Sequence, residues 1–169
     1  MIRALFARLT GEPARGSALF DAAVAEARQP HWFVEGEVPD TIEGRFAVLA
    51  TVTAFIVLRL ERDGLAEWSV GLTERFVETL DTEVREMGVS DPVIGKQVRR
   101  LVGALAGRVE RWRGLTQADL QWSAEVRRSL YRDQAVAEDA LAHSEKRLRS
   151  LWDRISASSA DNLLDGRIA

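Results

Sequence analysis

The stretch that decides the fold runs from Val38 to Leu60 and reads VPDTIEGRFAVLATVTAFIVLRL. It begins with a turn signal, because Pro39 fixes its own φ and disfavours the helical conformation for Val38. Asp40 is a favourable N-cap residue, and Glu43 stands three residues after it, in the register of a capping box. The sequence therefore predicts a helix that begins near residue 40.

The body of this helix is predicted to be buried on all sides. Residues 46–58 carry no charged side chain, and a helix that is apolar all round must be covered all round. Such a run of helix extends about 20 Å, which is short of the roughly 30 Å core of a bilayer. The β-branched residues Val52, Ile56 and Val57 favour a buried strand as the alternative, but the capped start and the length favour a helix. We interpret residues 40–60 as the central helix of a bundle.

The overall composition is typical of a globular protein. The chain has 169 residues, of which 46% are hydrophobic and 29% charged, and its formal net charge of −3 is too close to balance to indicate a DNA partner. There is no cysteine, which excludes disulfides and thiolate chemistry. Residues 1–13 are not a secretory signal, because arginines interrupt the apolar residues. We expect a cytoplasmic protein, with a peripheral position at the inner membrane face as the second option.

Helical periodicity continues on both sides of the central helix. Apolar residues recur with a period near 3.6 in five further segments: 2–9, 14–28, 66–87, 92–112 and 134–155. Thr116 and Asp119 repeat the capping-box spacing and predict one more helix, ending near residue 131. The prediction is an all-α single domain over residues 1–155, with six or seven helices around the central one, followed by a partly ordered tail over residues 156–169.

The sequence lacks the constellations on which enzymes and metal sites depend. No glycine-rich phosphate loop follows a strand, and no nucleophile elbow is present. The two histidines, His31 and His143, stand far apart in the chain and have no ligand partners at helical spacing. We therefore expect no catalytic residue, no metal and no cofactor.

One face of the 92–112 segment carries basic residues and glycines that folding does not require. Glycine costs a helix interior roughly 1 kcal/mol against alanine, yet two glycines stand four residues apart among basic side chains. They would let another backbone approach closely, from within the bundle or from a partner. The predicted partner surface consists of Lys96, Arg99, Arg100, Gly103, Gly107 and Arg111. The alternative is that the acidic preceding helix neutralises this face in cis, through pairs such as Glu78 with Arg100.

Several blocks of this sequence resemble the ubiquinol–cytochrome c chaperone family. The first is VPDTIEGRF at 38–46, which leads into the apolar helix, and the second is EVREMGVSDPVIGKQVRRL at 83–101. AEARQPHWF at 25–33 and LLDGRIA at the C-terminal end are similar to the family's lead-in and closing pieces. The motif positions that this resemblance marks as structural or partner-binding are Asp40, Thr41, Gly44, Arg45, Arg85, Glu86, Gly88 and Asp91.

The resemblance implies a helical assembly chaperone for ubiquinol–cytochrome c reductase and not an enzyme. The implied client is cytochrome b or a similar apolar membrane protein, with a second assembly factor as a partner. The basic face would then contact the client, a ribosome or an anionic membrane surface. The alternative, motivated by the apolar helix and the clustered tryptophans, is a helical protein that binds a lipid or a quinone-like small molecule.

Three charged motif residues have predicted structural roles. Asp40 is expected to cap the central helix. Arg45 lies one turn into an otherwise apolar helix, and Glu86 lies near a helix C-terminus, where the helix dipole disfavours an acid. A lone buried charge is costly, so we expect Arg45 and Glu86 to be partly buried and paired with opposite charges.

Overall fold

Every regular element in the part of the chain that the structure describes is helical. The structure is a computed structural model, and it describes residues 16–86, 91–117 and 121–168. The α-helices in these ranges are α1 (Ser17–Ala27), α2 (Ile42–Arg62), α3 (Ala66–Glu86), α4 (Asp91–Gln117), α5 (Ser123–Tyr131), α6 (Glu138–Ala157) and α7 (Ala160–Leu164). A 3₁₀ turn, Pro30–Trp32, lies between α1 and α2. The all-α prediction is confirmed, whereas the predicted helix at 2–9 lies outside the described residues.

Helix α2 is the central element that the apolar run predicts. Residues 50–60 are all buried, and α2 packs against α1, α3, α4, α5 and α6. Neighbours on every side are needed because the sequence of α2 offers no polar face to water. No helix in the described ranges combines the length and the apolar character needed to cross a membrane.

Aromatic rings fill the core around Phe55 of α2. The ring centroids of Trp112, Trp122 and Trp152 lie 5.1, 5.8 and 5.6 Å from that of Phe55, all in edge-on arrangements. Trp112 and Trp122 also contact each other edge-on at 4.9 Å. Edge-to-face pairs stabilise a core beyond the area that they bury, so this cluster joins α4 and α6 to the central helix.

Two predicted helix boundaries are wrong. Thr116 lies inside α4, where its hydroxyl donates to the carbonyls of Trp112 (3.0 Å) and Arg113 (3.2 Å). The next helix begins at Ser123 and α6 begins at Glu138, not near residue 134. The reason is that a threonine hydroxyl can bond back to a carbonyl within its own helix as readily as it can cap the next one.

The segment after α6 packs along the bundle. Leu163 of α7 is fully buried, and Gly166 lies so close to α1 that a Cβ there would stand 2.5 Å from the carbonyl oxygen of Ala18. The buried Arg59 of α2 forms an ion pair with Asp63 and donates to the carbonyl of Ser158 at 3.0 Å. This bond satisfies a carbonyl at the C-terminal end of α6, where helices leave their acceptors unpaired.

Candidate functional site

The turn into α2 is capped by Thr41 and not by Asp40. Thr41 has the extended backbone of an N-cap residue, and its Oγ1 accepts a hydrogen bond from the backbone N–H of Gly44 at 3.2 Å. The predicted Asp40–Glu43 capping box is therefore wrong. Both residue types are good caps, and the sequence alone does not decide between neighbours.

Gly44 has a steric role in the same turn. A Cβ on Gly44 would stand 1.9 Å from the carbonyl oxygen of Pro39, far inside van der Waals contact. Only glycine allows the Pro39 carbonyl to lie against the first turn of α2. The proline and the glycine of this motif are thus needed together.

Asp40 and Arg45 form an exposed ion pair across the turn. Arg45 Nε lies 2.6 Å from Asp40 Oδ1, and the hydrogen bond from Arg45 lowers the pKa of the Asp40 carboxyl. The predicted pairing of Arg45 is confirmed, but its predicted burial is wrong, because the side chain is 64% exposed. Its guanidinium lies over the half-buried Phe33 ring, 5.9 Å from the ring centroid.

The second motif block is described in part. Arg85 and Glu86 end helix α3 and Asp91 begins α4, but the side chains of all three lie outside the description, so the predicted pairing of Glu86 stays a prediction. Gly88 lies outside the described residues, and so does the side chain of Lys96.

Two cations of α4, Arg99 and Arg100, have no ion-pair partner among the described residues. Both residues are exposed. Glu78, the expected cis partner of Arg100, pairs with Arg75 of its own helix at 3.0 Å. The cis-neutralisation alternative is therefore wrong for this pair. That Arg99 and Arg100 bind another molecule stays a prediction.

Gly103 and Gly114 of α4 face open space in the described ranges. A Cβ on Gly103 or Gly114 would meet nothing within 4 Å, and one on Gly107 would meet only the guanidinium of Arg111, at 3.3 Å. Within the described ranges, no other helix approaches Gly103, Gly107 or Gly114 closely. The alternative that Gly103 and Gly107 serve packing inside the bundle is therefore wrong. The alternative that they admit a partner stays a prediction.

The C-terminal part of the basic face belongs to a buried polar network. Arg108 is buried and donates to the carbonyl of Ser129 at 2.7 Å, and burial lowers its pKa to about 10. Arg111 donates through Nε to Glu125 Oε1 at 2.8 Å, and Ser129 Oγ donates to the same oxygen at 2.6 Å. The Glu125 side chain is only 8% exposed. Arg111 therefore serves the fold first and lies at the edge of the candidate surface.

The structure also brings together two residues that the sequence separates. His143 Nε2 lies 3.4 Å from His31 Nδ1, although the two residues are 112 positions apart in the chain. No local pattern signals this contact, because it depends on how the connector between α1 and α2 packs on α6. In the described ranges, no group of three or more His, Cys, Asp or Glu side chains could hold a metal ion.

Comparisons with known proteins agree with the observed fold. A family model described as ubiquinol-cytochrome C chaperone matches residues 35–169. The crystal structure of the Cbp3 homolog from Brucella abortus has a TM-score of 0.78 to this chain at 23% sequence identity, and the match covers 100% of this chain and 96% of that one. At this identity the structural likeness shows the helical fold. No curated protein matches the chain significantly.

Proposed function

The chain belongs to the ubiquinol–cytochrome c chaperone family, and we propose that it holds cytochrome b, or a similar apolar membrane protein, while ubiquinol–cytochrome c reductase is assembled. Family membership makes it a chaperone of that assembly. The identity of the client and the surface that holds it are proposals. The proposed surface is the outer face of α4 around Arg99, Arg100, Gly103 and Gly107, with Arg111 at its edge. Lys96 is assigned to it from the sequence alone.

The observation that carries this proposal is the open environment of Gly103. An internal glycine costs a helix roughly 1 kcal/mol against alanine, and the described bundle gains no packing from this one. A residue without a side chain lets a second helix come into close backbone contact, which is how helices of membrane proteins associate through small residues. An apolar client helix therefore fits this position.

Arg99 and Arg100 supply the polar rim of the surface. Exposed charges contribute little to folding stability, so two adjacent arginines without a partner among the described residues are better explained by an external partner. Guanidinium groups form strong paired hydrogen bonds with carboxylates and phosphates. The rim would hold anionic groups of the client, of a second assembly factor, of a ribosome or of the anionic membrane surface. Under this proposal, we expect the protein at the cytoplasmic face of the inner membrane.

The clustered tryptophans do not favour the lipid-binding or quinone-binding alternative. Trp112, Trp122 and Trp152 pack edge-on around Phe55. They fill the core and join helices, which is the structural role of such rings. No observation of the described residues favours this alternative over the chaperone.

Deletion of the gene in its own host tests the proposed function. We expect the deletion to lower the level of cytochrome b and of assembled reductase, and expression of the intact chain to restore both. Normal levels of both in the deletion strain would overturn the proposal. Affinity purification of the intact chain from solubilised membranes should recover cytochrome b directly.

Charge reversal tests the proposed surface in the same strain. Arg99→Glu combined with Arg100→Glu should leave the melting temperature nearly unchanged and should reduce both restoration of the reductase and recovery of the client. The matched control is Arg28→Glu combined with Lys146→Glu, which makes the same charge change at two exposed positions, one directly after α1 and one on α6. If both double variants restore the reductase equally, the surface assignment is wrong and the family function stands.

A further inference from the structure

The two histidines of the chain face each other across an internal contact. His31 lies on the Pro30–Trp32 turn of the connector, residues 29–38, that joins α1 to α2, and His143 lies on α6. Their ring centroids are 5.4 Å apart, and His31 Nδ1 lies 3.4 Å from His143 Nε2. On the other side of the His31 ring, Arg147 Nε lies 3.4 Å from Nε2.

These contacts determine where the protons sit. A guanidinium group can only donate, so Nε2 of His31 must be the acceptor and carry no proton. The proton of the neutral His31 ring is then on Nδ1, which points at His143 Nε2. His143 Nε2 must in turn accept. The chain of donors from Arg147 through His31 to His143 therefore requires both rings to be neutral.

Proton uptake by either ring breaks this chain. A proton on His31 Nε2 would put an N–H against the guanidinium of Arg147, and a proton on His143 Nε2 would put two N–H groups face to face. Burial lowers the pKa of His31, as do the charges of Arg147 and His143, in that order. Glu26 of α1 and Glu35 of the connector act in the opposite direction. Glu26 also pairs with Arg154 of α6 at 3.0 Å, which weakens its support for a charged His31.

The contact between His31 and His143 lies in a connector that is also bonded to the rest of the bundle. The backbone N–H of Gly36 donates to the carbonyl of His31 at 2.9 Å, and the carbonyl of Gly36 accepts from the hydroxyl of Tyr131. Trp32 is fully buried, and its Nε1 donates to the Glu26 carbonyl at 3.0 Å. A movement of His31 away from α6 would therefore loosen the segment that leads into the capped turn of α2.

We propose that His31 and His143 form a proton-operated latch, which holds the connector on α6 when both rings are neutral and releases it in mildly acidic solution. The sign follows from linkage. Because the pKa of His31 is lowered in the folded chain, the stability that it contributes is complete above the ordinary histidine value of about 6.5 and is lost as the pH falls below that value.

The surroundings favour a proton over a metal ion as the ligand of this pair. The cation of Arg147 faces His31 at 3.4 Å and would repel a divalent ion. No further histidine or carboxylate in the described ranges completes a set of three ligands with the two rings. The histidine pair is therefore proposed as a pH sensor and not as a metal site.

Proton NMR of the imidazole signals tests the latch directly, because the chain has 2 histidines and both belong to it. In the intact chain between pH 7.5 and 5, we expect His31 to titrate below the ordinary histidine range. The protection of the amides of residues 31–37, measured as the exchange rate relative to the chemical rate of free amides at the same pH, should fall over the same pH interval, by up to about tenfold per pH unit for each proton taken up. His143→Gln, which keeps a neutral donor and acceptor, should raise the His31 pKa and weaken this pH dependence.

Matched variants separate the latch from general acid sensitivity. Arg147→Gln should raise the His31 pKa, whereas Lys146→Gln, the neighbouring exposed position, should leave it unchanged. His31→Gln combined with His143→Gln should make exchange of the connector follow only the chemical pH dependence of free amides. Two histidines that titrate independently at ordinary values, with connector exchange that does not respond, would overturn the latch. Stoichiometric binding of zinc chloride to both rings at pH 7.5 would also overturn it, in favour of a metal site.

Discussion

Two regions carry glycines and charged residues of the kind that suggests function: the turn at residues 39–45 and the outer face of α4 at residues 99–107. Their residues differ in whether the fold uses them. In the turn, Thr41 caps the helix, Gly44 makes room for the carbonyl of Pro39, and Asp40 pairs with Arg45. On α4, Arg99, Arg100 and Gly103 have no such role within the described ranges. A motif that identifies the family can thus be structural, while a binding surface is better sought among residues that the fold does not use.

Gly44→Ala should have the largest effect. The added methyl group would overlap the Pro39 carbonyl, which is backbone and cannot rotate away, so the start of α2 must shift. We expect a loss of about 3 kcal/mol or more in the free energy of unfolding, measured by urea denaturation. Gly103→Ala is the matched control, because a methyl group there meets only open space and should stabilise the chain by roughly 0.5–1 kcal/mol. Equal effects of the two substitutions would contradict the contrast between the regions.

Glu125→Gln should have the next largest effect, because Glu125 of α5 holds Arg111 at the edge of the candidate surface. Its carboxylate accepts from Arg111 and Ser129, and the glutamine amide cannot replace the charge opposite Arg111. We expect a loss of about 1–3 kcal/mol, kept moderate because Arg111 is partly exposed. Glu110→Gln on α4 breaks an exposed pair with Arg113 and should change the unfolding midpoint little. If Glu125→Gln is equally neutral, Arg111 is a free cation of the partner surface after all.

Thr41→Ala should lower the free energy of unfolding by about 1 kcal/mol, because the N-cap is lost. Thr41→Ser keeps a capping hydroxyl and should lower it much less. Asp40→Ala should cost less than Thr41→Ala, because the Asp40–Arg45 pair is exposed to solvent. A larger loss of unfolding free energy for Asp40→Ala would show that Asp40, and not Thr41, caps the helix.

The Asp40–Arg45 pair also carries a small pH dependence. Since the pKa of Asp40 is lowered in the folded chain, the contribution of the pair is present above the ordinary aspartate value of about 3.9 and is lost as the pH falls through the lower folded value. Comparison of acid unfolding for the intact chain and for Asp40→Ala measures this term. An identical acid dependence of the two proteins would show that the pair does not contribute.

Structural features that depend on composition could be predicted from the sequence. Features that depend on contacts between distant segments could not. The burial of α2 could be predicted, because residues 46–58 carry no charge and the helix has no face for water. The choice between Asp40 and Thr41 as the cap could not, because both side chains can accept the bond and the contact of Gly44 with Pro39 decides the register.

The same limit separates the basic residues of α4. Arg108 and Arg111 are one turn apart and equivalent in sequence, but Ser129 and Glu125 of α5 draw them into a buried network. Arg99 and Arg100 take no part in this network within the described ranges. The contact of His31 with His143 likewise exists only once the connector has packed on α6. Charge and periodicity predict a basic helix, and the neighbouring helices then determine which cations remain free.

The most direct test of the central claim is a comparison of Gly103→Leu with Ala142→Leu, which places the same leucine side chain at an exposed position of α6. Each variant is measured for its melting temperature and for its ability to restore assembled reductase in the deletion strain. We predict that both variants melt at or above the temperature of the intact chain and that only Gly103→Leu fails to restore the reductase. Full restoration by a well-folded Gly103→Leu would contradict the claim that the open face of α4 holds the partner.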